Sequence, residues 1–147
     1  MGRVGLAPGQ LATPRVSSVS RLAAYNWGIN GIDNPIPFDT EDSDPLGAWA
    51  AGTPTRLTAP AAGVYAVTGW FGCQTNTTFP REITLRLNGV ATLFRRSCIT
   101  NNAYTTPILS AQRTIKLGAG DYVELCVKGT ATNPLLSVAY CSIALVG

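Results

Sequence analysis

The sequence contains no histidine and few acids. Without histidine, the chain has no Ser-His-Asp or Cys-His nucleophile, no histidine metal ligand and no histidine pH switch. A glycosidase needs two carboxylates that face each other across a cleft. The second half of the chain offers only Glu82, Asp121 and Glu124, and the two glutamates fall on the polar face of their predicted strands. We therefore expect a protein that is not an enzyme and that binds no cofactor.

Charge is also scarce, because charged residues form 13% of the chain, whereas about 25% is usual. The only adjacent basic pair is Arg95-Arg96, so the sequence has no basic block for binding nucleic acid. No apolar run reaches the roughly 18 residues of a membrane-spanning helix. Pro8 and Gln10 interrupt the apolar stretch that a secretory signal would need. We expect a protein made in the cytoplasm, without nucleic-acid or membrane partners, whose surface is largely covered by other proteins.

The four cysteines, Cys73, Cys98, Cys126 and Cys141, include no C-x-x-C pair. Their spacing gives a zinc site little support. Because the expected compartment is reducing, free buried thiols are the default expectation. Disulfides that form after release from a cell are the alternative.

Alternation of apolar and polar residues dominates the chain from residue 63 onward. In REITLRL, Ile83, Leu85 and Leu87 alternate with polar neighbours, and Asn88-Gly89 follows as a strong hairpin signal. Five prolines between residues 30 and 63 exclude a helix there and favour loops with short edge strands. The pattern predicts an all-β protein, a two-sheet antiparallel sandwich of roughly eight to ten strands. The six clearest strands are predicted at 64–73, 82–88, 90–99, 108–117, 121–128 and 135–147.

Residues 1–22 show no sustained period and are rich in Gly, Pro, Ala and Ser. We predict an extended N-terminal arm over 1–22, followed by one domain over 23–147. The arm carries Arg3, Arg15 and Arg21 and no acid. These arginines are therefore candidates to anchor the arm on a neighbouring protein.

An acidic cluster lies in the proline-rich region, where DTEDSD places Asp39, Glu41, Asp42 and Asp44 within six residues. Calcium prefers carboxylate oxygens, which makes the four acids a candidate calcium site. The cluster lacks the glycine and the terminal glutamate of a helix-loop-helix calcium loop. The favoured interpretation is a solvated loop, or a set of salt-bridge partners for arginines of a neighbouring subunit.

Several phrases of the sequence occur in an order that resembles a known family. They are PFDTEDSD at 37–44, TRLTAPAAGVYAVTGWF at 55–71, REITLRLNG at 81–89 and KLGAGDYVELCV at 116–127, followed by an apolar C-terminal strand. The order resembles the jelly-roll family shared by tumour necrosis factor and the globular head of the first complement component, and most of all its bacterial and bacteriophage members. The resemblance covers roughly residues 36–147, with APAAGVY and LGAGDYVEL as its most specific pieces.

The resemblance implies a jelly roll of about ten strands that assembles as a trimer and has no enzymatic activity. It also implies that the strand at 64–73 neighbours the final strand, which would bring Cys73 and Cys141 side by side as a candidate disulfide. The candidates for core and trimer contacts are Tyr65, Phe71, Tyr122, Val123 and Tyr140.

Size, low charge and the resemblance together point to a virion protein. We expect a homotrimeric decoration protein of a tailed bacteriophage, which binds the major capsid protein or other virion proteins and cements the capsid surface. The alternative is a receptor-binding tip or head-fibre module that recognises a host glycan or surface protein. Its contacts would come from the loops 74–80, 100–106 and 129–134, which are rich in Asn and Thr.

Overall fold

A computed structural model of the chain describes residues 15–27, 31–73, 80–99, 108–129 and 135–147. Within these ranges the protein has eleven strands and no helix, and therefore no helix that could span a membrane. The strands are β1 (Val16–Arg21), β2 (Tyr25–Asn26), β3 (Asn34–Pro35), β4 (Thr40–Ser43), β5 (Leu57–Thr58), β6 (Gly63–Cys73), β7 (Pro80–Leu87), β8 (Ala91–Ile99), β9 (Ile108–Leu117), β10 (Tyr122–Gly129) and β11 (Leu135–Leu145).

The strands form two antiparallel sheets that pack face to face. The first sheet has the order β4-β1-β11-β6-β9, with β2 also paired to β11. The second sheet has the order β3-β10-β7-β8, with β5 also paired to β10. The predicted antiparallel jelly-roll sandwich is thus confirmed, and β6 neighbours the final strand as the resemblance implied.

Alternation along the long strands builds the core between the two sheets. In β6, Tyr65, Val67 and Phe71 are completely buried, while the residues between them are less buried. Gly69 belongs to the same inward row, and a Cβ there would stand 2.7 Å from Leu125 Cδ1 of the facing sheet. The lack of a side chain at Gly69 therefore lets Leu125 of β10 approach β6 closely.

The predicted N-terminal arm is too long. Val16–Arg21 form β1, which pairs with β11 along its whole length and with β4 on its other side. Ser17 and Val19 of this strand are completely buried, so β1 is part of the domain that was predicted to begin at residue 23. The residues 1–14, including Arg3, lie outside the described ranges.

Chain connections lie at two ends of the sandwich. At the end that we call the terminal end, the carbonyl of Arg15 accepts a hydrogen bond from the backbone nitrogen of Leu145. The turn at Asn88 and Gly89 lies at this end and joins β7 to β8; the two residues have φ of 51° and 73°, as a tight hairpin turn requires. At the opposite end, which we call the loop end, lie the strand termini that flank the segments 74–79, 100–107 and 130–134.

Candidate functional site

The outer face of the first sheet carries no charge at its centre. Strands β6 and β11, which lie side by side within this sheet, contain no charged residue. We call the surface the uncharged face, and Lys116 of β9 stands at its margin. Its members, from the rows that point away from the core, are Val16 and Ser18 of β1, Val64, Ala66, Thr68 and Trp70 of β6, Ser110, Gln112 and Thr114 of β9, and Val138, Tyr140, Ser142 and Ala144 of β11.

One aromatic pair stands on the uncharged face. Trp70 of β6 and Tyr140 of β11 are directly opposite each other, with ring centroids 6.3 Å apart and ring planes inclined by 22°. Both side chains remain partly exposed. Aromatic residues of this kind are enriched in protein interfaces, where they supply large contact areas. The uncharged face thus combines small side chains that allow close approach with one aromatic anchor.

Of the five residues predicted for core and trimer contacts, three lie in the core. Tyr65, Phe71 and Val123 are at most 1% exposed between the sheets, which agrees with the core role and leaves them no surface for a trimer contact. Tyr122 lies half-buried on the second sheet, where the Arg56 guanidinium carbon stands 4.1 Å from the ring centroid. Only Tyr140 lies on the uncharged face.

The acidic cluster fastens β4 to β1. Asp44 accepts hydrogen bonds from Ser17 Oγ at 2.5 Å and from the backbone nitrogens of Ala48 and Trp49. Asp42 accepts one from Ser20 Oγ at 2.5 Å. The described residues hold no group of three acidic, cysteine or histidine side chains suitable for a metal. The structure therefore gives the calcium hypothesis for Asp39, Glu41, Asp42 and Asp44 no support.

Asp39 is held by the chain just after β1. It accepts hydrogen bonds from the backbone nitrogens of Leu22 and Ala23, and the Nε of Arg21 lies 3.6 Å from its Oδ2. Burial raises the pKa of Asp39, but these bonds, a hydrogen bond from Thr40 and the charge of Arg21 outweigh it and hold the pKa below its usual range. Arg21, predicted to anchor the arm, is therefore part of the domain's own structure.

Polar side chains on the outer face of the second sheet are paired with one another. Glu124 was predicted on the surface but is 5% exposed, because Thr55 donates a hydrogen bond to its Oε2 at 2.7 Å and Arg86 Nη2 lies 3.4 Å from its Oε1. Glu82 forms ion pairs with Arg95 at 3.9 Å and Lys128 at 3.4 Å. A second acid, Asp33, binds Arg95 at 2.8 Å.

The described thiols are buried and free. Cys73, Cys126 and Cys141 form no disulfide, which agrees with the default expectation. The candidate disulfide between Cys73 and Cys141 was wrong, because Cys73 lies opposite Leu136 and Cys141 opposite Gly69. The Cys98 side chain lies outside the described residues.

A cleft of about 380 Å³ opens where the edges of the two sheets meet. It lies between β8, the edge of the second sheet, and β9, the edge of the first sheet. Its lining residues are Thr68, Phe94, Arg96, Ser110, Ala111 and Gln112. A smaller cleft of about 150 Å³ continues along the same edge and shares Arg96 and Ser110.

Trp70 was not among the predicted contact residues, although the signal for its outward position was present. The same alternation that places Tyr65, Val67 and Phe71 inward assigns Trp70 to the opposite row of β6. The burial of Glu124 had no such signal, because it depends on Thr55, which lies 69 residues away in the sequence.

Comparison with known proteins identifies the fold. No protein-family model and no curated protein sequence matches this chain. The structure is similar to the globular domain of zebrafish complement 1qA, with 18% identity and a TM-score of 0.66 over 92% of this chain and 98% of that chain. It is also similar to the tumour necrosis factor Eiger from S. frugiperda, with 11% identity and a TM-score of 0.62 over 92% of this chain and 94% of that chain. The described domain thus has the jelly-roll fold of the complement globular head and of tumour necrosis factor.

Proposed function

We propose that this chain is a non-enzymatic structural protein that assembles as a homotrimer through its uncharged face and decorates the capsid of a tailed bacteriophage. The uncharged face is the observation that carries the proposal. An antiparallel sheet that faces water normally presents polar and charged side chains on that side. On this sheet, β6 and β11 present small uncharged residues and the Trp70–Tyr140 pair instead. Contact with further copies of the chain would remove this surface from water.

The pairing of the acids supports a role without catalysis. Glu124 is occupied by Thr55 and Arg86, and Glu82 by two cations. A general acid or base must be able to reach a substrate, and these carboxylates are engaged in holding the second sheet together. The chain also has no histidine.

The terminal end supports attachment to a larger assembly. Residues 1–14 join the domain there, at Arg15, beside the C-terminal end of β11. An extended segment at this end can order on a capsid protein while the loop end points away from it. In this proposal the chain is made in the host cytoplasm and ends on the capsid surface.

Light scattering at several concentrations tests the assembly. Thr68→Glu places a charge in the middle of the uncharged face, and we expect it to convert a trimer into a monomer. Ala119→Glu is the matched control, because it adds the same charge at an exposed turn of the terminal end. A wild-type chain that is monomeric at all concentrations would overturn the proposal. So would a Thr68→Glu variant that folds and remains trimeric.

The capsid role needs a separate experiment. Purified virions of the phage that encodes the chain should contain it in a fixed ratio to the major capsid protein. Particles that lack the chain should lose their DNA at lower temperature, because a cement protein adds contacts between capsid subunits. Absence of the chain from purified virions would exclude this role.

The loop end favours one second candidate, a receptor-binding tip or head-fibre module. The segments within the predicted loops 74–80, 100–106 and 129–134 all connect strand termini of the loop end. Loops gathered at one end of a sandwich are a common arrangement for recognition. Binding of the isolated trimer to intact host cells would favour this function over capsid decoration.

A further inference from the structure

The two edges of the first sheet carry opposite charge. At one edge lies β4, which contains Glu41 and Asp42, is flanked by Asp39 and Asp44, and has no cation of its own. At the other edge lies β9, which contains Arg113 and Lys116 and no acid. We call these the acidic edge and the basic edge, and we include in the basic edge the adjoining strand β8.

Most of the charge of the basic edge is not neutralised by an acid of the same protomer. Strands β8 and β9 contain four cations and no acid. The ion pairs of the described residues use only Arg95, which binds Asp33 and Glu82. Arg96, Arg113 and Lys116 take part in none of these pairs, and all three are exposed. All eight acids of the chain lie in the described ranges, so this account of carboxylate partners is complete.

The position of two arginines makes this edge unusual. Arg96 pairs with Ile83 and Arg113 with Val67, so both occupy rows that point into the core elsewhere in their sheets. They stay exposed because the sandwich is open between β8 and β9, and Arg96 lines the cleft of about 380 Å³ at that opening. The opening therefore presents positive charge where the rest of the row presents apolar side chains.

The acidic edge is equally short of counter-charge. Arg21 is paired with Asp39, but no cation of the described residues forms an ion pair with Glu41, Asp42 or Asp44. Asp42 and Asp44 accept hydrogen bonds from serine hydroxyls, which leave their negative charge in place. Glu41 and Asp42 are exposed on β4.

We infer that the acidic edge of one protomer binds the basic edge, with its cleft, of a second copy of this chain. The two edges lie four strand spacings apart, about 19 Å, which exceeds the screening length of about 8 Å at physiological ionic strength. Their charges therefore do not satisfy each other within one protomer. Because the two edges are different surfaces, the contact is heterologous and closes into a ring when the rotation between copies allows it. The inference rests on the self-association under Proposed function and adds that the two charged edges, which flank the uncharged face, meet each other between copies.

Charge on edge strands also has a second explanation, which is protection against strand pairing between molecules. The two explanations predict opposite results. If the cations only repel other copies, Arg113→Gln/Lys116→Gln should strengthen association. If they bind the acidic edge, the same variant should weaken it.

Sedimentation equilibrium on the full chain tests the inference with a charge exchange. Glu41→Lys/Ser43→Lys reverses the net charge of β4, from −2 to +1, without touching the two aspartates that bind serines, and Arg113→Glu/Lys116→Glu reverses that of β9, from +2 to −2. We expect each to weaken association by about tenfold or more at low salt. The combination of both should recover association to within about threefold of the wild type. Val90→Lys and Val90→Glu are matched controls, because Val90 is 85% exposed at the hairpin turn.

Wild-type association should also weaken as salt rises from about 50 mM to 500 mM. If neither salt nor either charge-reversal variant changes the association constant, the inference is overturned and the proposed self-association stays intact. A combined variant that associates no better than the single reversals would overturn it as well. A wild-type chain that is monomeric in low salt would overturn both proposals. The failure of the inference alone is therefore distinguishable from the failure of the proposed self-association.

Discussion

Trp70 and Tyr140 stack across the two neighbouring strands of the first sheet on the side that faces away from the core. Their centroid separation of 6.3 Å lies within the range of favourable aromatic pairs. Each belongs to a strand that has no charged residue. The pair therefore stabilises β6 against β11 in one protomer and also provides the largest side chains of the uncharged face.

The stack can be tested with a double-mutant cycle. Trp70→Ala, Tyr140→Ala and the double variant, unfolded in urea at one protomer concentration, should show a coupling of about 0.5–1.5 kcal/mol. Thr68→Ala is the matched control on the same face and should show no coupling with Tyr140→Ala beyond about 0.5 kcal/mol. Strictly additive effects of Trp70→Ala and Tyr140→Ala would contradict the stacking interaction.

Gly69→Ala tests the close approach of the two sheets. The new Cβ would stand 2.7 Å from Leu125 Cδ1, so Leu125 must leave its position or β6 must shift. We expect a loss of about 1–3 kcal/mol in the free energy of unfolding, measured in urea. Gly52→Ala is the control, because nothing lies within 4 Å of a Cβ there, and its effect should be small. If Gly69→Ala matched Gly52→Ala, the tight contact would be refuted.

Two of the long strands, β7 and β9, were predictable because each buries mainly one row. The predicted strand at 108–117 coincides with β9, and the predicted strand at 82–88 lies within one or two residues of β7. In both, a two-residue period in the sequence reflects one face in the core and one outside it. Physical burial and local pattern therefore agree in these strands.

β1 was not predictable from the local pattern, because two of its buried residues are serines. Ser17 lies in the row that faces the core, and Ser20 lies in the outer row. Their hydroxyls donate hydrogen bonds to Asp44 and Asp42, respectively. Those partners lie 27 and 22 residues away, so the stabilising contacts are absent from the local sequence. A short stretch of VSSVSR consequently looked like part of an extended arm.

The candidate site was predictable only in part, for a related reason. Alternation shows which residues share a row, but it does not show which row meets a partner. Tyr65 and Phe71 were therefore candidates for both core and trimer contacts, of which only the core role fits their burial, and Trp70 was not among the candidates. The opposite charge of the two edges could be recognised only from the strand order. That order places β4 and β9, which lie about 70 residues apart in the sequence, at the two edges of one sheet.

Thiol labelling tests the redox state that the structure assigns. Burial raises the pKa of Cys126 and of Cys141 to about 12, so about 1 in 10,000 of each is thiolate at pH 8. In the native protein we expect Cys73, Cys126 and Cys141 to resist iodoacetamide, and in denaturant without reductant we expect all three to react. Mass spectrometry of the peptides identifies the labelled sites. A thiol among these three that stays unlabelled after denaturation would indicate a disulfide and contradict the free state.

The hydrogen bonds of Asp39 predict how stability changes in acid. Burial raises the pKa of Asp39 in the folded chain, but the hydrogen bonds from the backbone nitrogens of Leu22 and Ala23 and the charge of Arg21 outweigh it and hold the pKa below its usual range. A carboxyl with a depressed pKa contributes stability above its unfolded pKa, and that contribution is lost as pH falls through the folded value. Urea midpoints should therefore hold between pH 7 and about pH 5 and then decline toward pH 3.

Two variants assign this acid decline to Asp39. Asp39→Asn should be less stable than the wild type at pH 7, and the two proteins should converge as pH falls toward the folded pKa of Asp39, because the wild-type carboxyl then becomes protonated. Thr40→Val removes one hydrogen bond to Asp39 Oδ1, at 2.9 Å, and should give a smaller change of the same sign. An Asp39→Asn variant that declines as steeply as the wild type between pH 5 and pH 3 would show that other groups control the acid limb.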